Sequence, residues 1–106
     1  MSPAVLHILM SLAEGERHGY AVKQDIEDRT SGGLVLGPGT LYEAIHRLLR
    51  DGWLAEAPEA TRADGDGRRK YYRLTDAGRR AMEAELVRLD ALVREARARA
   101  LFPREA

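Results

Sequence analysis

The residues best able to do chemistry in this chain are cations interleaved with tyrosines. Between positions 68 and 80 stand Arg68, Arg69, Lys70, Arg73, Arg79 and Arg80 against a single acid, Asp76, with Tyr71 and Tyr72 among them. Guanidinium and ammonium groups beside phenols suit contact with phosphate oxygens. The competing reading is a charged edge strand that discourages sheet extension. A second polar set comprises Gly39, Thr40, Tyr42, Glu43, His46, Arg47 and Arg50. Such groups on one helix surface can meet base edges and phosphates in a major groove. Taken alone, the set reads better as an ordinary amphipathic helix, so its neighbours must decide. Tyr20 is a third candidate, either a core residue or a hydroxyl aimed at a phosphate.

Other chemistries find little support. His7, His18 and His46 fall on three different predicted helices without ligand spacing, so neither a metal site nor an enzyme is expected, and no cofactor. His7 lies in an apolar run and reads as a core-edge histidine rather than a ligand or pH sensor. Gly37 and Gly39 lack the Gly-Lys-Ser/Thr sequence of a nucleotide-phosphate loop. The chain has no cysteine, which excludes disulfides and thiolate sites and fits a reducing compartment. No apolar run approaches the roughly 20 residues of a membrane span, and no signal pattern opens the chain, so a soluble cytoplasmic protein is expected. At 106 residues, 44% hydrophobic and 32% charged, it should fold as one globular domain whose small core would gain from a partner chain. Formal net charge is zero. That counts against a uniformly basic nucleic-acid binder and leaves local charge to decide docking.

The elements that position these groups follow from periodicity and punctuation. Ser2 and Pro3 read as a cap and first helical residue, followed by a helix over about 3–14 with apolar residues on more than one face. Val5 and Leu9 on it are candidates for a subunit contact. A second helix runs from His18–Tyr20 to about Arg29, with Ala21, Val22 and Ile26 inward and Lys23, Gln24, Asp25, Glu27 and Asp28 toward water. Leu34–Leu36 reads as a short buried strand between turns. The third helix starts either with Pro38 after Gly37 or with Thr40 as cap, Glu43 reaching back to close a capping box. It ends at Gly52. Leu41, Ile45, Leu48 and Leu49 form its apolar face. Residues 53–57 and 68–74 read as two strands of a hairpin around the Asp64–Gly67 turn. Alternation puts Tyr72 and Leu74 on one face and Tyr71 and Arg73 on the other. Thr75 and Asp76 open a last helix to about Leu101. Met82, Leu86, Leu89, Val93, Ala96 and Ala100 recur on it as a heptad seam that asks for a partner helix.

Helix, helix, short strand, helix, strand, basic loop, strand, long helix is a winged helix-turn-helix order, mainly α with a small β wing. The third helix would then read DNA and the hairpin would be the wing. Three blocks carry a specific resemblance: His18-Gly19-Tyr20; Gly39-Thr40-Leu41-Tyr42 with Ile45, Arg47, Leu48 and Gly52; and Arg69-Lys70-Tyr71-Tyr72-Arg73-Leu74-Thr75 with Gly78. In these blocks, over about residues 4–80, the chain resembles the PadR family of transcriptional regulators, its short subfamily with a single C-terminal helix. The resemblance implies a homodimeric repressor on palindromic, inverted-repeat DNA, built into a dimer by its first and last helices. Release by a small-molecule effector, as in many relatives, is a further implication. Residues 1–74 would form the DNA-binding domain and residues 75–106 the dimerisation helix.

On this reading Tyr20, Gly39, Thr40, Tyr42, His46, Arg47, Arg68, Arg69, Lys70 and Tyr71 face DNA. Val5, Leu9, Met82, Leu86, Leu89, Val93 and Ala96 build the dimer. An effector pocket, with His7, Met10, Leu89, Leu92 and Val93 as candidate lining, would lie between the first and last helices. The alternative is a winged-helix module that binds a protein instead of specific DNA. Glu43 departs from the family, which commonly has proline after Leu-Tyr. It is expected to cap the helix, the other option being a hydrogen bond from a cytosine amino group.

Overall fold

In the computed structural model, residues 1–58 and 69–103 are described. The elements are α1 (Pro3–Ala13), β1 (Arg17–His18), α2 (Gly19–Arg29), α3 (Pro38–Arg50), β2 (Leu54–Glu56), β3 (Tyr71–Leu74) and α4 (Asp76–Ala98). This is the expected mainly helical architecture with a small wing. The Asp64–Gly67 turn and Arg68 lie outside the described residues.

Local chemistry sets the helix boundaries. The Ser2 hydroxyl accepts from the Val5 N–H at 3.2 Å, and Pro3 takes the first helical position, where its missing N–H costs nothing. Pro38 does the same for α3, whose N-cap Gly37 makes no side-chain cap. The capping box of Thr40 and Glu43 is therefore not used, because the helix has begun two residues before Thr40. At its other end Gly52 adopts φ +78°. The N–H groups of Gly52 and Trp53 close onto the carbonyls of Leu49 and Leu48 at 3.2 and 3.0 Å. That double closure is the Schellman stop.

The Leu34–Leu36 strand is not formed. Among the described residues this segment has no partner strand; Leu36 is buried, while Val35 is 61% exposed. The third strand is instead β1, so the antiparallel sheet has the order β1-β3-β2. Arg17 faces Tyr72 and His18 faces Tyr71 on one side, and Leu54, Ala55 and Glu56 face Leu74, Arg73 and Tyr72 on the other. Tyr72 turns inward and Arg73 outward, as alternation required.

Ile8, Leu9 and Leu12 of α1, Val22 and Ile26 of α2, Leu41, Ile45 and Leu48 of α3, Leu54, Tyr72 and Met82 form one core. Each fully buried aliphatic side chain contributes about 2 kcal/mol. Exposed pairs such as Arg94–Asp90 at 2.8 Å contribute under about 1 kcal/mol, so burial decides the fold. Val5, Leu9 and Met82, expected at a subunit contact, lie instead in this core, at 7%, 0% and 6% exposure. Asp25, expected in water, is largely covered. It accepts from Arg29 Nε at 2.8 Å and lies 3.9 Å from Arg17 Nη2, while both arginines also pair with Glu14. Burial opposes its charge, but the hydrogen bond from Arg29 and the charges of Arg17 and Arg29 outweigh it, holding the carboxyl below its usual range.

The start of α4 is joined to the end of α3. Thr75 caps α4 by accepting from the Gly78 N–H at 3.0 Å. Its own N–H donates to the Trp53 carbonyl at 3.1 Å, and its hydroxyl to the Gly52 carbonyl at 2.7 Å. Met82 and Leu86 pack toward α1 and the core. Beyond Leu89 the helix stands clear, with Leu92 53% and Val93 37% exposed. The described molecule measures 52 × 28 × 23 Å. The helix stops at Ala98, three residues before the expected end. Ala100 takes φ +57°, and the Leu101 N–H returns to the Ala96 carbonyl at 2.9 Å. Ala100 is thus outside the seam. Among the described residues no helix is long and apolar enough to cross a membrane.

Candidate nucleic-acid interface

Burying Leu41, Ala44, Ile45 and Leu48 leaves α3 with an outward arc. At about 100° per residue, that arc runs from Tyr42 through His46, Gly39 and Arg50 to Glu43, Arg47 and Thr40, all of them exposed. Nothing lies within 4 Å of where a Cβ on Gly39 would stand, so the first turn offers bare backbone.

The Tyr42 flank of α3 meets the wing. His18, Gly19, Tyr20, Tyr42, His46, Arg69, Lys70 and Tyr72 line one open cleft of about 490 Å³. Glycine at 19 is what lets Tyr42 lie there. A Cβ on Gly19 would come within 2.6–2.9 Å of the Tyr42 ring and hydroxyl. Tyr20, 61% exposed, is a surface residue rather than a core one. Burial, with the nearby Tyr42 phenol and the Glu56 carboxylate, pushes the Tyr72 hydroxyl above the usual phenol range, so it stays neutral. Lys70 lies 3.5 Å from Glu56 in an exposed pair, too weak to hold the ammonium away from a phosphate.

The root of the wing is pinned through His18. Its Nδ1 accepts from the Ala21 N–H at 3.1 Å and caps α2. Its Nε2 lies 2.7 Å from Arg69 Nη1, and its ring meets Tyr71 edge-on at 5.3 Å between centroids. A neutral imidazole has one free lone pair and a guanidinium only donates. The cap and the Arg69 contact therefore compete for that lone pair.

The other flank of α3 faces the start of α1. Ser2, Ala4, Val5, Thr40, Glu43, Ala44 and Arg47 line a groove of about 300 Å³. Of the residues expected at DNA, Tyr20, Tyr42, His46, Arg69 and Lys70 thus come together in one cleft. Thr40 and Arg47 lie on the opposite flank, and Gly39 lies between. Tyr71 is half-buried against His18, and Arg68 is outside the described residues. His18 itself is a site residue that sequence reasoning missed. A signal exists, since a histidine directly before a helix start can cap it, but the two-residue strand that carries it is too short to show alternation.

The sequence pattern of the Transcriptional regulator PadR-like family matches residues 8–84. A transcriptional regulator of Mycobacterium tuberculosis is 41% identical over 91 residues, 85% of this chain and 78% of that protein. The fold is similar to that of a PadR family transcriptional regulator from Eggerthella lenta, at 28% identity and TM-score 0.72 over 93% of this chain and 82% of the other. It is also similar to Bacillus subtilis PadR, solved in complex with operator DNA, at 23% identity and TM-score 0.66 over 78% of this chain and 46% of that one. The second likeness is one of fold.

Proposed function

The chain belongs to the PadR-like family of transcriptional regulators, and from that premise we propose that it is a homodimeric repressor of an inverted-repeat operator. Residues 1–74 bind DNA and residues 75–106 hold the dimer together. Gly39, Thr40, Tyr42, His46 and Arg47 meet the major groove and its phosphate edges. Tyr20, Arg68, Arg69, Lys70 and Tyr71 hold the backbone. The observation that carries this reading is the shared cleft, in which Tyr42 and His46 of α3 and Arg69 and Lys70 of the wing root line one concavity. Groove-reading and phosphate-holding groups thus present together. The bare apolar stripe of α4, with Leu92 and Val93 exposed, supports dimerisation. Leu86, Leu89, Val93 and Ala96 then carry the contact, since Val5, Leu9 and Met82 already serve the chain's own core. Two recognition helices spaced by about one DNA turn, roughly 34 Å, suit a palindrome. A small molecule seated between α1 and α4 of the dimer, near His7, Met10, Leu89, Leu92 and Val93, releases DNA by changing that spacing.

The test is fluorescence anisotropy on the region upstream of the protein's own gene. Binding is expected on the order of 10 nM and falling steeply with salt. Arg69→Ala with Lys70→Ala weakens binding to every sequence alike and lowers the salt slope by about one for each phosphate no longer neutralised. Absence of binding to any promoter fragment at low salt refutes the reading.

A further inference from the structure

Glu43 is an acid in the middle of a surface otherwise built to meet DNA. It is exposed on the outward arc of α3 among Tyr42, His46, Arg47 and Arg50. Capping does not explain it. The helix starts at Pro38 and its N-cap uses no side chain, so Glu43 stands in the second turn, past the unpaired N–H groups of the helix start. Ion pairing does not explain it either. Arg47 lies one turn on, at the spacing and in the direction that favour a helix-surface pair. Elsewhere this spacing is used, by Lys23 with Glu27, Arg29 with Asp25 and Arg94 with Asp90. Yet among the described residues neither Glu43 nor Arg47 makes an ion pair or a side-chain hydrogen bond.

A carboxylate pressed toward a duplex is repelled by the phosphates unless a base edge supplies a donor. In the major groove the amino groups are N4 of cytosine and N6 of adenine. Beside adenine N6 lies the acceptor N7, which opposes the second carboxylate oxygen, whereas cytosine N4 has only a C–H as its outer neighbour. We propose that Glu43 is a specificity-determining residue that accepts a hydrogen bond from N4 of one cytosine in each operator half-site. This rests on the DNA-binding reading above.

The experiment is selection from a random duplex library with the wild-type chain, Glu43→Ala and Glu43→Gln, followed by competition binding on the selected sites. For wild type, a symmetric pair of cytosines is expected, each preferred over thymine by roughly ten-fold. In Glu43→Ala that preference should fall to within about two-fold while the rest of the motif stays. In Glu43→Gln it should move toward adenine, whose N6 and N7 fit a carboxamide. Glu43 is exposed, so melting curves should coincide. An unchanged motif in both variants, with or without tighter binding, overturns the proposal and leaves DNA binding standing. A wild-type chain that enriches no motif overturns both.

Discussion

Two glycines make the contrast between tolerant and intolerant packing testable at the level of single residues. A Cβ on Gly19 would meet the free end of the Tyr42 side chain, which is 40% exposed and can swing away. Gly19→Ala should therefore change stability by less than about 1 kcal/mol but weaken DNA binding several-fold, because Tyr42 leaves the cleft. A Cβ on Gly78 would stand 2.1 Å from the Trp53 carbonyl oxygen, a backbone atom that already accepts from Thr75. Gly78→Ala should cost about 1–3 kcal/mol or more, read as a lowered urea midpoint. Equal melting shifts for the two variants would contradict both arguments. Glu43 shows why a residue's job can escape a sequence reading. Thr40 and Glu43 have the spacing of a capping box, and so does many an exposed pair inside a helix. Only the helix start at Pro38 tells the two apart.

Among the elements, legibility followed punctuation. α1 and α4 are readable because Ser2-Pro3 and Thr75-Asp76 are strong start signals, and α3 because Gly52 stops it. β1 is not readable. Two residues cannot display a period of two, and the pairing partner of Arg17 lies 55 positions away at Tyr72. Leu34–Leu36 misleads in the opposite sense, since an apolar triplet looks like a strand but here Leu36, with Leu34 packed beside it, anchors a connection into the core. The α1–β1–α2 corner is also opaque, because its acid Asp25 has the pattern of a solvent position. It carries a pH signature. Its carboxyl titrates lower in the folded chain than in the unfolded one, so its contribution is complete above the unfolded value of about 3.9. The contribution disappears as pH falls through the folded value. Denaturant titrations at pH 7 and pH 3 should show Asp25→Asn less stable than wild type at pH 7, with a smaller decline on acidification. Parallel declines would mean that the arginine cluster does not hold this carboxylate.

At the scale of the whole molecule, the single chain is lopsided. One end is a packed core with a polar, partly basic face. The other is a helix with Val87 70%, Leu92 53% and Val93 37% exposed. Changing Leu92 and Val93 together to Glu should leave the melting of the core unmoved and convert a dimer to monomers in sedimentation equilibrium. DNA affinity should fall by more than about ten-fold as the two half-sites become uncoupled. A variant that stays dimeric would move the interface elsewhere. The joint between α3 and α4 then has a mechanical consequence. Thr75 is bonded to both Gly52 and Trp53, and Gly78 leaves no gap above the Trp53 carbonyl. The two helices therefore share a hinge without play. α4 has 23 residues, a lever arm of roughly 35 Å. A tilt of about 5° at the joint displaces its far end by about 3 Å over that length. A displacement at the tip would reach the joint as a rotation smaller by that lever ratio.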